Sequence, residues 1–193
     1  LDRVRAAGIA VHALVWAGRT DDALALVDRW QPYAEEKDAG HGPLLSAQYR
    51  GGRALALLCN GRLEEAEIAA DETYARFLGD RTTEATGLMA LECGLVALHR
   101  GHLAAARRWL REASALLREA DPTGSLPLAL SLTAQARGQA GGADGATEAA
   151  TEAERALRPG GSLYDVDVLL GRAWAAAAAG ALTEAQQKAH MAA

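Results

Sequence analysis

Apolar positions along this chain fall into Ala/Leu-rich blocks of mostly four to five helical turns, separated by short breaks that carry Gly, Pro or charged residues. One pattern recurs five times: a small or polar residue, Gly, three or four further residues, then Ala. The copies are Ala17-Gly18 to Ala23, Asn60-Gly61 to Ala66, Arg100-Gly101 to Ala106, Ala140-Gly141 to Ala146 and Ala179-Gly180 to Ala185. The fourth copy is degraded. Successive glycines are 43, 40, 40 and 39 residues apart. Self-similarity at such a period is the signature of a repeat architecture.

Each copy reads as a helix, a tight turn and a second helix. The Gly ends the first helix in the left-handed conformation without a Cβ penalty. Acidic residues soon after it suit the positive N-terminal end of the next helix, and Thr20 is placed as an N-cap ahead of Asp21 and Asp22. The Ala five residues beyond the Gly is small enough for the closest approach of two antiparallel helices. First helices are predicted over 3–17, 44–60, 82–100, 125–139 and 163–179, and second helices over 20–34, 63–78, 103–120, 143–157 and 182–193. Breaks between hairpins lie at Gly40-His41-Gly42-Pro43, Gly79-Asp80-Arg81-Thr82, Asp121-Pro122-Thr123-Gly124 and Arg158-Pro159-Gly160-Gly161-Ser162, where Ser162 and Asp165 have capping-box spacing. None is long enough for a domain linker. Residues 1–193 therefore read as a single all-α domain, an α-solenoid (superhelix) of about five αα-hairpins, in which stacking buries faces that one hairpin alone cannot. The chain begins and ends within helical patterns, so it is expected to be a fragment of a larger protein.

Composition supports this architecture. Ala and Leu number 46 and 28 against 9 Ile plus Val, which removes a mostly β fold. The net charge of −5 argues against direct nucleic-acid binding by this segment. The longest apolar run, around Ala173–Ala179, is far short of the roughly 18 residues that span a bilayer. No membrane association is expected, and the chain reads as cytoplasmic. Cys59 and Cys93 read as reduced, buried thiols, with a redox pair as the alternative.

The turn pattern resembles that of tetratricopeptide (TPR) repeats. Repeat three matches best, with Cys93-Gly94 where that family has Leu-Gly and with Gly101, Leu103 and Ala106 in the turn. The spacing near 40 exceeds the family's usual value of about 34. Longer, Ala/Leu/Arg-rich repeats are similar to the TPR-like region of large ATP-binding LuxR-type (MalT-like) transcriptional regulators. That resemblance implies a sensor and self-association arm between an ATPase module and a helix-turn-helix. This sequence holds no G-x-x-x-x-G-K-[ST] motif and no basic recognition helix, so ATP and DNA would be contacted only by other parts of such a parent.

In a TPR-like array the first helices line the concave face. With phase set by the turn glycines, Arg5, His12, Trp16, Gln48, Cys59, Leu88, Leu91, Leu95, Leu98, His99, Ser131, Gln135, Gln139, Asp167, Leu170 and Trp174 are expected to point inward. Of these, His12, Trp16, Gln48, His99, Gln135, Gln139, Asp167 and Trp174 form the candidate strip for a protein, peptide or small-molecule effector. The same residues also read as a solvated face with the tryptophans packed between helices.

Other clusters carry less. His99 and His102 straddle a turn with no third metal ligand at a supporting spacing. Arg107, Arg108 and Arg111, with Arg118 beyond, form a basic stripe that reads as a partner patch or a solvated helix face. Glu64, Glu65, Glu67 and Asp71 form an acidic stripe one repeat earlier, placed for inter-repeat ion pairs. Glycines 138, 141, 142 and 145 mark repeat four as the least stable interior repeat. No nucleophile, phosphate loop or metal spacing suggests catalysis, and no cofactor is expected. The function expected from the resemblance is a non-catalytic sensor or scaffold domain of a LuxR-type regulator. The alternative is a stand-alone TPR-like interaction adaptor. Self-association through exposed repeat ends fits either.

Overall fold

The computed structural model describes residues 2–38, 44–78, 83–121, 123–157 and 163–193. They form ten helices, with no strand among the described residues: α1 (Asp2–Trp16), α2 (Thr20–Asp38), α3 (Leu44–Cys59), α4 (Leu63–Phe77), α5 (Thr83–His99), α6 (Leu103–Glu119), α7 (Leu126–Gln139), α8 (Ala143–Ala156), α9 (Asp165–Ala178) and α10 (Leu182–Ala192). Each odd helix packs on the even helix that follows it, and each even helix up to α8 packs on the next odd one. The odd helices also pack on each other in sequence, whereas no even helix packs on another even helix. The odd layer is therefore the tighter one, and the array curls toward it.

All five hairpin turns are built the same way, mainly by backbone. At the first, the Gly18 N–H donates to the Val15 carbonyl at 2.9 Å and the Arg19 N–H donates to the Leu14 carbonyl at 2.8 Å. This paired closure, a Schellman motif, recurs at Gly61, Gly101, Gly141 and Gly180. It requires positive φ, and the five glycines have φ between 71° and 79°. Thr20 is not an N-cap: it lies inside α2, and the Arg19 carbonyl accepts the first helical bond, from the Ala23 N–H. The residues preceding α4, α6, α8 and α10 likewise make no side-chain cap bond. Ala23, Ala66, Ala106 and Ala146 are fully buried at the helix crossings, while Ala185, in the last hairpin, is half-buried.

Caps between hairpins are supplied from a distance. Both oxygens of Asp38, at the end of α2, accept the Leu45 and Ser46 N–H groups at the start of α3. Asp121 does the same for the Ser125 and Leu126 N–H groups of α7. Helix α2 runs four residues past its expected end and continues through Pro32. Its added turn is held by the Glu35–Arg50 ion pair to α3 and by the Asp38 cap. The breaks at 40–43, 79–82 and 158–162, with the Ser162 capping box, lie outside the described residues.

The core thins along the chain. Repeats two to four share one large cluster that includes Leu57, Phe77, Met89, Leu110, Leu117 and Leu132. A second cluster joins repeat one to α3 and is built on Val4, Val11, Val27 and Tyr49. Between α7, α8 and α9 much of the packing is alanine: Ala134, Ala146, Ala149, Ala150 and Ala175. Helix α10 buries no residue. Where layers press together, Gly removes the obstacle. A Cβ on Gly94 would stand 2.6 Å from Leu110 Cδ2, and one on Gly138 would stand 2.7 Å from the Trp174 carbonyl oxygen. None of the described helices is long and apolar enough to cross a membrane.

Candidate functional site

The inner face is set by the odd helices. On α5 the positions outside the core repeat at Leu88, Glu92, Leu95 and His99, spaced four, three and four residues apart. This corrects the expected phase. Leu91 and Leu98 belong to the core, and Glu92 takes the inward position instead. A polar residue at the fourth position after Leu88 was the sequence signal for it.

Glu92 is the most perturbed carboxyl group of this face. Its side chain lies against Gly51 of α3, so close that a Cβ there would be 2.1 Å from Glu92 Oε1. The residue as a whole is only half-buried, yet Oε2 is shut off from solvent and has no hydrogen-bond partner among the described residues. Burial pushes its pKa up to about 8. Asp167, on α9, is also raised by burial, with its own backbone N–H and the charge of His99 pulling the other way. Of the expected residues, His99 and Asp167 are thus linked by charge, although α5 and α9 do not pack on each other.

The two ends of the array also meet. The Trp16 ring, at the end of α1, stands edge-on to the Tyr164 ring just before α9, with centroids 6.3 Å apart and planes at 65°. The Tyr164 hydroxyl lies 3.3 Å from Ser125 Oγ at the head of α7. Tyr164 is missing from the sequence-derived strip although it lies in the helix predicted over 163–179, three residues before Asp167; in the structure α9 begins just after it, at Asp165.

The remaining candidates divide. Gln48 and Gln139 are exposed. Gln48 packs over Gly8 of α1, where a Cβ would be 2.7 Å from its Oε1. His12 is half-buried between α1 and α3, with Nδ1 3.2 Å from the Gly8 carbonyl oxygen. Trp174 is 40% exposed, and its backbone presses on Gly138. Gln135 and Ser131 are buried, which places both within the packing and away from an open surface. Ser131 donates back to the Pro127 carbonyl at 2.7 Å.

The clusters outside this face also take definite form. Cys59 is exposed, contrary to expectation, because α3 ends there; Cys93 is buried, and burial followed by the charge of Asp71 raises its thiol pKa. His99 Nδ1 is 2.9 Å from the Leu95 carbonyl oxygen, and His102 faces Glu67 at 3.5 Å, so the two histidines have separate partners. The acidic stripe of α4 does form inter-repeat ion pairs, but with Arg100 and not, among the described residues, with the α6 arginines. Glu65 is bound by Arg62, while Glu64 and Glu67 face Arg100 at the end of α5. Arg108 lies instead over the Trp109 ring at 4.7 Å, and Trp109 packs edge-on to Tyr74 at 4.5 Å. This aromatic group narrows the outer gap between α4 and α6 to a cleft of about 270 Å³.

No known family pattern matches the sequence, and no curated protein matches it. Among solved structures, two of a putative kinesin light chain from Podosopora anserina with nearly identical TPR-like repeats are similar. Each aligns over 98% of this chain at 16% identity, covering 92% and 93% of the other chain with TM-scores of 0.69 and 0.68. Aspartyl phosphate phosphatase F from Bacillus subtilis aligns over 96% of this chain at 16% identity and a TM-score of 0.75. There the match spans 48% of the larger protein. These likenesses, joined to the ten helices and five equivalent turns, show the fold: this chain is a TPR-like solenoid of helical hairpins.

Proposed function

We propose that the chain is a non-catalytic interaction module that holds a peptide segment of a protein partner on its inner face. The observation that carries this is the row of α5 positions left outside the core, which includes the partly sealed Glu92 and ends at His99, with the charge of His99 felt at Asp167 of α9. Asp167 supplies the acidic group, whose interaction with a donor is stronger in a partly desolvated groove than in water, while Glu92, held protonated up to about 8, offers a hydrogen-bonding carboxylic acid. The favoured occupant is therefore a segment bearing Lys, Arg or amide donors. TPR-like structural neighbours support an interaction role at the level of fold. The test is a synthetic peptide library, sorted by charge, screened against the full chain. Bound peptides should be cationic, and His99→Ala with Asp167→Asn should weaken them. Peptides that bind the double variant as well as the native chain would remove the inner face from the reading.

A second reading keeps the same fold within a LuxR-type regulator, where the array would sense an effector or partner and pass the change on by shifting between packings. The glycine spacing of 39 to 43 residues favours it. Neither of the neighbouring proteins named above carries that description, so the adaptor reading stands first. Sequencing the reading frame on both sides decides between them: an upstream P-loop and a downstream helix-turn-helix would restore the regulator.

A further inference from the structure

A second groove lies on the outer layer, between α6 and α8 and floored by α7. Its volume is about 570 Å³, twice that of the corresponding cleft between α4 and α6. The difference has a residue-level cause. The earlier gap is filled by Tyr74 and Trp109, whereas the α8 side of this one offers only Gly142, Gly145, Ala149 and two glutamates. Four arginines line it: Arg107, Arg111 and Arg118 from α6, and Arg137 from α7.

The charges are unevenly satisfied. Arg118 binds Glu152 through two nitrogens at 2.8 and 2.9 Å, which bridges one end of the groove. Arg137 donates to the Gly145 carbonyl at 3.0 Å and stands 3.8 Å from Glu148. A Cβ on Gly145 would meet that guanidinium at 2.8 Å, so the glycine is what lets Arg137 lie across the first turn of α8. Both glutamates of the groove are thereby engaged. Arg107 and Arg111 are exposed and have no ion-pair or hydrogen-bond partner among the described residues. They lie opposite the N-terminal turn of α8, whose dipole adds positive potential at the same end.

We propose that this outer groove docks an acidic, Asp/Glu-rich segment of a protein partner. Charge complementarity selects the sign: four arginines, two of them without a partner among the described residues, line a channel with two glutamates, of which Glu152 is bound by Arg118 and Glu148 stands 3.8 Å from Arg137. Shape selects a chain over a small anion. From Arg107 to Arg118 the α6 face runs about 16 Å at 1.5 Å per residue, the length of about five extended residues. The site is separate from the inner face and stands or falls without the reading given above.

The experiment uses the full chain and a fluorescein-labelled hexaglutamate peptide, with hexaglutamine and inorganic phosphate as comparison probes. Fluorescence anisotropy at low salt should show saturable binding of hexaglutamate that weakens as salt rises. Arg107→Glu with Arg111→Glu should weaken it by about tenfold or more. Arg3→Glu with Arg5→Glu, the same charge change on exposed positions of α1, should leave it within about twofold, since α1 packs its backbone on α2 and α3 and not on the helices that line the groove. Circular dichroism checks that both variants keep their helix content, and Arg107→Gln with Arg111→Gln gives a milder replacement if the charge reversal unfolds the chain. Absence of binding to the native chain, equal loss in both double variants, or no loss in either would overturn the site. Displacement of the peptide by an equal concentration of phosphate would overturn the acidic segment as its occupant.

Discussion

Trp16 and Tyr164 stack edge-to-face at 6.3 Å, although one ends the first helix of repeat one and the other introduces the first helix of repeat five. The contact closes the curl of the odd layer. It is a side-chain contact alone, because neither α1 nor α2 packs its backbone on α9 or α10.

Removing this closure should open the array at modest energetic cost. Trp16 is about half-exposed, so Trp16→Ala is expected to lower unfolding free energy by only about 0.5–1 kcal/mol, the low end for an aromatic pair. Small-angle scattering should nonetheless show a larger radius of gyration. An unchanged radius would mean that helix packing alone holds the curl.

Glycines of two kinds should respond differently to alanine. At Gly101, with φ of 75° and nothing within 4 Å, only the left-handed backbone is at stake, and Gly101→Ala should cost about 1–2 kcal/mol. At Gly138 the new methyl group would meet the Trp174 backbone, which cannot rotate away. Gly138→Ala should therefore cost about 1–3 kcal/mol despite the better helix propensity of alanine, and should displace α9 from α7. Denaturant midpoints with unchanged slopes would measure both. A stabilised Gly138→Ala would show that the two helices are not in such close contact.

Burial of Glu92 predicts a pH dependence of known sign. An unfolded glutamate loses its proton near 4.5, whereas in the folded chain burial holds the group protonated up to about 8. Between these values the folded state binds more protons than the unfolded one, so stability falls as pH rises through that window. Glu92→Gln removes this contribution. The melting temperature of the variant, relative to the native chain, should rise steadily between pH 5 and 8. Asp71 and Asp167 are raised in the same direction but are common to both proteins, so they cancel in the comparison. A constant difference across the range would place the Glu92 carboxyl group in water.

Repeat four should exchange amide hydrogens fastest among the interior repeats. The buried side chains of α8 are all alanine, whereas α6 contributes Leu110 and Leu117 to the main core. Less apolar area removed from water means a lower free energy of local opening. The sequence pointed to the same repeat through its glycines, yet Gly138 and Gly145 prove to be sites of close approach and not simple breaks. Peptide-level hydrogen exchange that found α4, α6 and α8 equally protected would contradict this.

The local part of this protein was legible in its residues. The five turn glycines and the alanines that follow them set helix starts and stops to within a residue or two at most ends, because left-handed backbone and helix crossing are constraints on single positions. The fold class followed from their period. Tertiary structure decided whatever depends on two distant segments. The extra turn of α2 exists because Arg50 and the start of α3 bind it. Helical phase alone could not separate Leu91 and Leu98 from Glu92, since which stripe faces inward is set by the packing of α5 on α3, α6 and α7. Likewise the meeting of Trp16 with Tyr164, the burial of Gln135 and the open basic groove between α6 and α8 all arise from the curvature and side-chain sizes of the stacked array, properties that no single repeat contains.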